Sequence, residues 1–504
     1  MQNASVGLFA RIITILAGYL ARVVFTHSLG ADYIGINGLF LDIMNLFSLS
    51  ELGFGTAITY ALYKPIANHD IEKQKSLMRL YQRFYRIVSI AVLVIGLAVL
   101  PFLNVLIRDK PQVDHIELIY LMYLSNTVLS YLLIYKRTLV DAHQRLYIGV
   151  LSQSGFLMLQ YIVQCIVLVV TKNYILYLSI YLICTIANNV TVAFIANRDY
   201  PYLKDKQVEP LAASEKHEIR RNLESMMMHK VGNVVVNSTD NLLLSALVGT
   251  ISVACYSNYF LLIGSVRQVL NQVFTGITAS VGNLGVNEPE DHIRNVFETA
   301  FFISQWLFGW AAICLYELLS PFVAFSFGSQ YVFSNDIVLM LCINFYITGL
   351  RQASLSFRDS LGLFWYDRYK SIAESIINLV VSIILGRLMG VFGIFLGTFI
   401  STITTSTWVE PYVLYKIKLG MSPKGYYLSY VVGCIIQAGV WVVTHYLCSF
   451  IAAGPVWQFV GRGLLCMLVP NLMFILIYLR NKHFYEVIDI LRKVISRISG
   501  KLRH

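Results

Sequence analysis

Apolar runs of about 20 residues, parted by short polar breaks, recur from one end of the chain to the other, and each is long enough to cross about 30 Å of hydrocarbon. Near the start, "LFARIITILAGYLARVVF" is such a run, although it carries Arg11 and Arg22. Reading runs against breaks predicts an all-α, polytopic membrane protein of about 14 transmembrane helices. The first six fall near 5–25, 35–62, 87–107, 116–135, 146–170 and 174–196. The next six fall near 231–248, 253–283, 296–319, 337–357, 372–389 and 391–415, with two more near 426–450 and 459–479.

The polar breaks alternate in charge. Segments 64–86, 136–145, 198–230, 358–370, 416–424 and 480–504 hold nearly all loop Lys and Arg, whereas the intervening loops hold little beyond Arg108, Lys110 and Lys172. By the positive-inside rule both termini are cytoplasmic, and the protein is expected in the cytoplasmic membrane of the cell. External loops are short, which leaves no room for a catalytic domain outside. The N-terminus shows no charged region and cleavage site before Arg11, so the first run is read as a retained span.

The longest polar stretch, "NRDYPYLKDKQVEPLAASEKHEIRRN", divides the spans into two six-helix lobes. The expected organisation is an N-lobe over 1–196, a cytoplasmic linker over 197–229, a C-lobe over 230–420, two further spans over 421–480, and a basic amphipathic tail over 481–504. An even number of spans per lobe makes any repeat parallel. Aligning Gly30 with Gly249 sets Arg11 opposite Lys230 and lays Thr14, Gly18 and Arg22 over Asn233, Asn237 and Asn241. In the tail, Val487, Leu491, Val494 and Ile498 share one helical face, as in an interfacial helix on anionic lipid.

Composition agrees with this pattern: 57% of the 504 residues are hydrophobic and 13% charged. The formal charge of +11 sits between apolar runs and not in one domain, so it reflects topology and no nucleic-acid partner is expected. The eight cysteines lie almost wholly within apolar runs without a CxxC pair, as small packing residues do. The histidines show no zinc spacing. No P-loop, nucleophile elbow or HExxH pattern occurs, and no enzyme activity, cofactor or metal is expected.

Ionisable residues inside spans are costly and mark either a partner or a water-filled cavity. Arg11 and Arg22 are 11 residues apart, which sets them about 20° apart around the helix and roughly 16 Å along it. Thr14 and Gly18 share that stripe. In span 7, Asn233, Asn237 and Asn241 follow i, i+4, i+8 with Asp240 beside them, a pattern that serves either helix packing or cavity lining. Span 8 carries Arg267 deep in its run, with Asn271 one turn on. Span 2 carries Asp42 and Glu51, nine residues apart and so on opposite faces. The expected substrate or cavity residues are Arg267, Arg11, Arg22, Asn271, Asn241 and Asn237, and those for ion coupling are Asp42, Glu51 and Asp240. For Arg11 and Arg22, snorkelling to headgroups is the competing role. Arg351, Glu374, Arg387 and Glu410, near the ends of spans 10 to 12, read as snorkelling or paired charges. Glu317 reads as interfacial and His445 as a packing residue.

Cavity arginines favour anionic oxygen, above all phosphate, because the guanidinium stays charged and offers a rigid fork. The two six-span halves, the two extra C-terminal spans and the opening "VGLFARIITILAGYLARVVFTHSLGADYIGINGLFLDIMNLFSLSELGFGTAI" resemble polysaccharide-biosynthesis flippases, the Wzx-type branch of the multidrug/oligosaccharidyl-lipid/polysaccharide (MOP) exporter superfamily. The motif matches are Leu29, Gly30, Gly35, Leu52, Gly53, Phe54 and Gly55. The resemblance implies two lobes around a cavity lined by spans 1, 2, 7 and 8 that opens alternately to either side. It implies a polyprenyl-diphosphate-linked oligosaccharide as cargo, with membrane lipids, a polysaccharide polymerase and glycosyltransferases as partners. Related lipid-diphosphate flippases use cavity arginines on helices 1, 2 and 8; spans 1 and 8 match here, while span 2 departs by carrying Asp42 and Glu51. That departure makes cation coupling conceivable. The alternatives are a cation-coupled drug or solute antiporter of the same superfamily, and a membrane glycan polymerase or acyltransferase. The antiporters usually have 12 spans, and the polymerases a large external loop that is missing here. A pure scaffold leaves the buried charges unexplained.

Overall fold

A computed structural model describes residues 2–47, 62, 65–66, 68–107, 111–143, 145–205, 239–287, 289–361, 363, 366–451 and 455–501. Among them every regular element is helical. Among the described residues eight helices are long and apolar enough to cross a bilayer, and a ninth span results if the pair Ile116–Leu132 and Ile134–Ala142, bent by 43°, is taken as one. Each of the expected spans has a helix among the described residues, spans 2 and 7 only in part. The surface is apolar where a soluble protein would be polar: Ile87, Val94, Ile166, Phe194, Ile435 and Leu476 are exposed, whereas Ser89, Gln164, Asn378 and Thr444 are buried. That inversion is the one a hydrocarbon solvent selects, since polar groups must be satisfied between helices.

The chain divides into two compact units, Met1–Ser257 and Asn258–His504. The first contains α1 (Gln2–Ser28), α2 (Ala31–Phe47), α3 (Ile71–Val99), α4 (Ile116–Leu132), α5 (Ile134–Ala142), α6 (Leu146–Thr171) and α7 (Tyr174–Asp199). It continues with a helix over residues 239–247 (α8) and the opening turns of α9 (Thr250–Asn287). In this unit α1 packs on α6, α6 on α7, and α3 and α7 on α4. Asp70 and Asn173 start α3 and α7 by accepting from the Lys73 and Leu176 amides at 3.0 and 3.1 Å. Outside the spans, the Asp205 and Glu72 carboxylates lie 2.7 and 2.9 Å from the Lys75 ammonium and raise its pKa. Residues 206–238, which hold most of the expected 197–229 linker and the start of span 7, lie outside the described residues.

The two glycines aligned as repeat equivalents occupy equivalent places. Gly30 separates α1 from α2, and Gly249, at φ 140°, separates α8 from α9. Beyond these breaks α2 and α9 cross closely. A Cβ on Gly35 would stand 2.3 Å from the Thr250 carbonyl oxygen, and one on Gly38 would stand 2.4 Å from Ser257 Oγ. Only glycine permits that approach.

The second unit is built around α10 (Glu290–Ser326), which packs on α11 (Asn335–Ser360), α14 (Lys424–Ser449), α15 (Pro455–Tyr478) and the tail helix α16 (Lys482–Lys501). Between them α12 (Arg368–Thr404) is broken at Gly390, whose φ of 62° and ψ of −136° suit only glycine. The chain folds back there, and the arms are joined by Ser382 Oγ donating to the Ile394 carbonyl at 3.0 Å and Asn378 to Thr398 at 3.1 Å. Helix α13 (Ser406–Val413) and a π-helical turn, Leu414–Lys418, complete the return arm.

Candidate functional site

In the first unit, two sequence-distant candidates meet. Asn241 on α8 donates through Nδ2 to Asp42 Oδ2 on α2 at 2.8 Å, and Asn45, one turn beyond Asp42, donates to Oδ1 at 3.4 Å. Both donors are neutral amides, so they stabilise the carboxylate by hydrogen bonding without supplying a countercharge. Asp240 is buried, and Tyr256 of α9 donates to it at 3.3 Å. Asp42, Asp240 and Asn241 thus stand on the mutually packed α2, α8 and start of α9.

Arg22 is half-buried on α1, with its guanidinium 5.7 Å from the centre of the Phe25 ring. Phe25 in turn packs against Tyr174 and Tyr177 of α7, at 5.7 and 5.2 Å between ring centres. The stripe that joins Arg22 to Arg11 passes over Gly18, where a Cβ would stand 3.3 Å from the Tyr161 hydroxyl of α6. At Gly18 this face of α1 is therefore turned toward the helices of its own unit. Arg11 lies on α1, but its side chain, like Glu51 and Asn237, lies outside the described residues.

Arg267 and Asn271 belong to the second unit, one turn apart on α9 and both half-buried. The Arg267 guanidinium lies 5.8 Å from the centre of the buried Phe345 ring on α11, a cation–π arrangement that lowers the cost of holding the charge in an apolar setting.

Two charge clusters of the second unit lie apart from these residues. At the end of the helices next to the 358–370 break, Arg351 of α11 donates to Glu410 at 2.7 Å and to Glu374 at 3.1 Å. Lys370 also bonds Glu410, and Arg358 bonds the buried Asp367 at 3.1 Å. The paired-charge role thus applies to Arg351, Glu374 and Glu410, while Arg387 is exposed. Elsewhere, Glu317 of α10 is buried, with 3% of its surface exposed, and lies 2.7 Å from His445 Nδ1 of α14. The interfacial placement expected for Glu317 is corrected, because helix α14 covers it. His445 is both packed, against Trp441 and Tyr316, and hydrogen-bonded.

No protein-family model matches the chain, and no curated protein matches it by sequence. Its fold is similar to that of several solved membrane transporters. A structure described as lipid II flippase MurJ in an inward closed conformation matches with TM-score 0.68 and 13% identity, over 94% of this chain and 98% of that one. An inward-facing multidrug resistance MATE family transporter of the MOP superfamily matches with TM-score 0.64 and 14% identity, over 82% and 98%. A MOP superfamily transporter from Pyrococcus furiosus, with a binding pocket described as reversed in polarity, matches with TM-score 0.54 and 13% identity over 82% and 95%. The chain therefore shares the fold of these solved structures, the fold that the sequence resemblance implied.

Proposed function

We propose that this protein is a flippase that carries a polyprenyl-diphosphate-linked oligosaccharide from the cytoplasmic to the outer leaflet of the cell membrane by alternating access. The observation that carries the reading is the extent of the likeness in fold: the flippase covers 94% of this chain and the multidrug transporter 82%. Antiporters of the superfamily usually have 12 spans, two fewer than the 14 expected here. Half-buried Arg22 and Arg267 suit the diphosphate, for which a guanidinium fork is the fitting partner. In this reading Arg11 adds to the basic face, Asn237, Asn241 and Asn271 line the path, and the prenyl chain stays in lipid while the sugars cross in water.

The ion-coupled antiporter reading is favoured by one feature, the Asp42 carboxylate held by two neutral amides, a group able to exchange a proton or cation. The same carboxylate, with Asp240 and Glu51, would couple an ion gradient to a flippase equally well. The protein reconstituted into proteoliposomes with fluorescent lipid-linked oligosaccharide tests the proposal. Protein-dependent movement of the labelled sugar between leaflets is the expected result. Drug exchange without glycolipid movement overturns it in favour of the antiporter.

A further inference from the structure

The first unit carries a half-open cavity of about 470 Å³ between α2, α4, α5, α6 and α7. Its volume lies in the range of small-molecule sites, roughly 300–1,000 Å³. Six amide side chains line it: Asn45, Asn126, Gln153, Gln160, Asn188 and Asn189. In a membrane-spanning bundle such a lining is costly unless something polar fills it.

Several of these amides are held by one protein bond and keep their other end for a further partner. Asn188 Oδ1 accepts from Ser152 at 2.7 Å, which leaves its Nδ2 donors. Asn189 Nδ2 donates to the Ser130 carbonyl at 3.3 Å, which leaves its Oδ1 acceptor. Asn126 is 6% exposed, and its Oδ1 is buried with no hydrogen-bond partner among the described residues. An unsatisfied amide oxygen on the wall of a polar cavity requires a donor from whatever fills it.

The lining also selects the kind of occupant. Among the described residues no carboxylate is in the lining, so they offer a cation no countercharge. The one charged group among those lining residues, Arg137, has Asp141 at 3.8 Å and donates to Gln153 at 3.0 Å, so it is already engaged and offers little to a free anion. What remains is a mixture of amide donors and acceptors with the rings of Phe156 and Tyr181. A hydroxyl both donates and accepts, and a sugar ring carries several hydroxyls around an apolar C–H face that packs on an aromatic ring.

We infer that this cavity is a binding site for an uncharged sugar ring, and that it receives part of the glycan of the lipid-linked cargo. The second clause rests on the flippase reading; the first stands on the cavity alone. The diphosphate site and the sugar site are then separate, which makes them separable by mutation.

The test uses the full chain in nanodiscs with three probes: lipid-linked oligosaccharide extracted from the source organism, the free oligosaccharide released from it by mild acid, and polyprenyl diphosphate. Asn126→Leu should weaken binding of both glycan-bearing probes about tenfold, the value of one buried hydrogen bond left unmade, and leave polyprenyl diphosphate binding at the wild-type level. Retained diphosphate binding also reports a folded protein. Asn188→Ala serves as the second variant should Asn126→Leu fail to fold. Unchanged binding of all three probes by both variants means the cavity holds water only, and overturns the inference while leaving the flippase reading intact. Binding of free oligosaccharide by the wild type, lost in the variants, with no binding of polyprenyl diphosphate, supports the sugar site and overturns the flippase reading.

Discussion

Asn241 and Asp42, 199 residues apart in sequence, share a hydrogen bond of 2.8 Å that ties α8 to α2. Removing the donor with Asn241→Ala should cost about 1–3 kcal/mol, because Asp42 Oδ2 then stays desolvated without that partner. Thermal denaturation in detergent reads this loss. Asp42→Asn keeps the shape and one acceptor, its new amide donor can be met by a flipped Asn241 amide, and it removes the exchangeable charge, so it should cost less stability. If Asp42 couples an ion, transport by that variant becomes insensitive to the ion gradient. Wild-type gradient dependence in Asp42→Asn excludes the carboxylate from coupling.

Alanine at Arg267, Arg22 or Arg11 should each reduce export of lipid-linked oligosaccharide about tenfold or more at unchanged protein level, the loss expected for one charge-assisted hydrogen bond of about 1.5–3 kcal/mol. Lysine at position 267 should restore only part of the activity, since an ammonium lacks the planar fork that grips a diphosphate. The measurement is cytoplasmic-leaflet accumulation of the glycolipid. Full export from all three alanine variants would show that these arginines only reach for headgroups.

Arg351 contributes differently, through stability. It bonds Glu374 and Glu410, which are both buried, so Arg351→Met leaves two carboxylates short of their countercharge. Breaking one side of such a buried network costs about 3–5 kcal/mol, which should appear as a large fall in the thermal midpoint or as loss of monodisperse protein. A thermal midpoint equal to that of the wild type would mean that Lys370 and Arg358 alone neutralise the cluster.

Single helices were far more legible than their neighbours. The break between 372–389 and 391–415 was readable because Gly390 punctuates an apolar run, and it is the residue where α12 reverses. Gly30 and Gly249 were readable as equivalents because each falls between two apolar runs. Helical periodicity tells which residues share a face, but not what that face meets. For this reason Arg22 could be placed on a stripe with Gly18, while the packing of Gly18 on Tyr161 of α6 could not be foreseen. Glu317 looked interfacial from its position near a span end, because nothing in its own run announces that His445, 128 residues later, covers it. The amide-lined cavity left no motif, since Asn45, Asn126, Gln153 and Asn188 lie on four helices, each inside a different apolar run. Amides inside apolar runs are the one local signal that could have pointed there.

The tail helix makes a pH-dependent contact. Glu486 of α16 receives hydrogen bonds from Asn295 at 2.9 Å and from Thr299, both on α10, and His483 lies 3.3 Å away. Burial opposes ionisation of this carboxyl, but the bonds from Thr299, Asn295 and His483 outweigh it and hold the pKa below the ordinary value. A carboxyl with a depressed pKa in the docked state contributes stability that is complete above its undocked value, about 4.3, and is lost as pH falls from there through the docked value. Hydrogen exchange of the 482–501 amides, corrected for the intrinsic pH dependence of exchange, should therefore show constant protection from neutral pH down to about 5 and increasing exposure below it. In Glu486→Gln the protection should be lower at neutral pH and should lose this acid-dependent component. Protection in that variant that matches the wild type across the whole range would mean that the apolar face, with Phe484 stacked on Trp306 at 5.9 Å, holds the tail by itself.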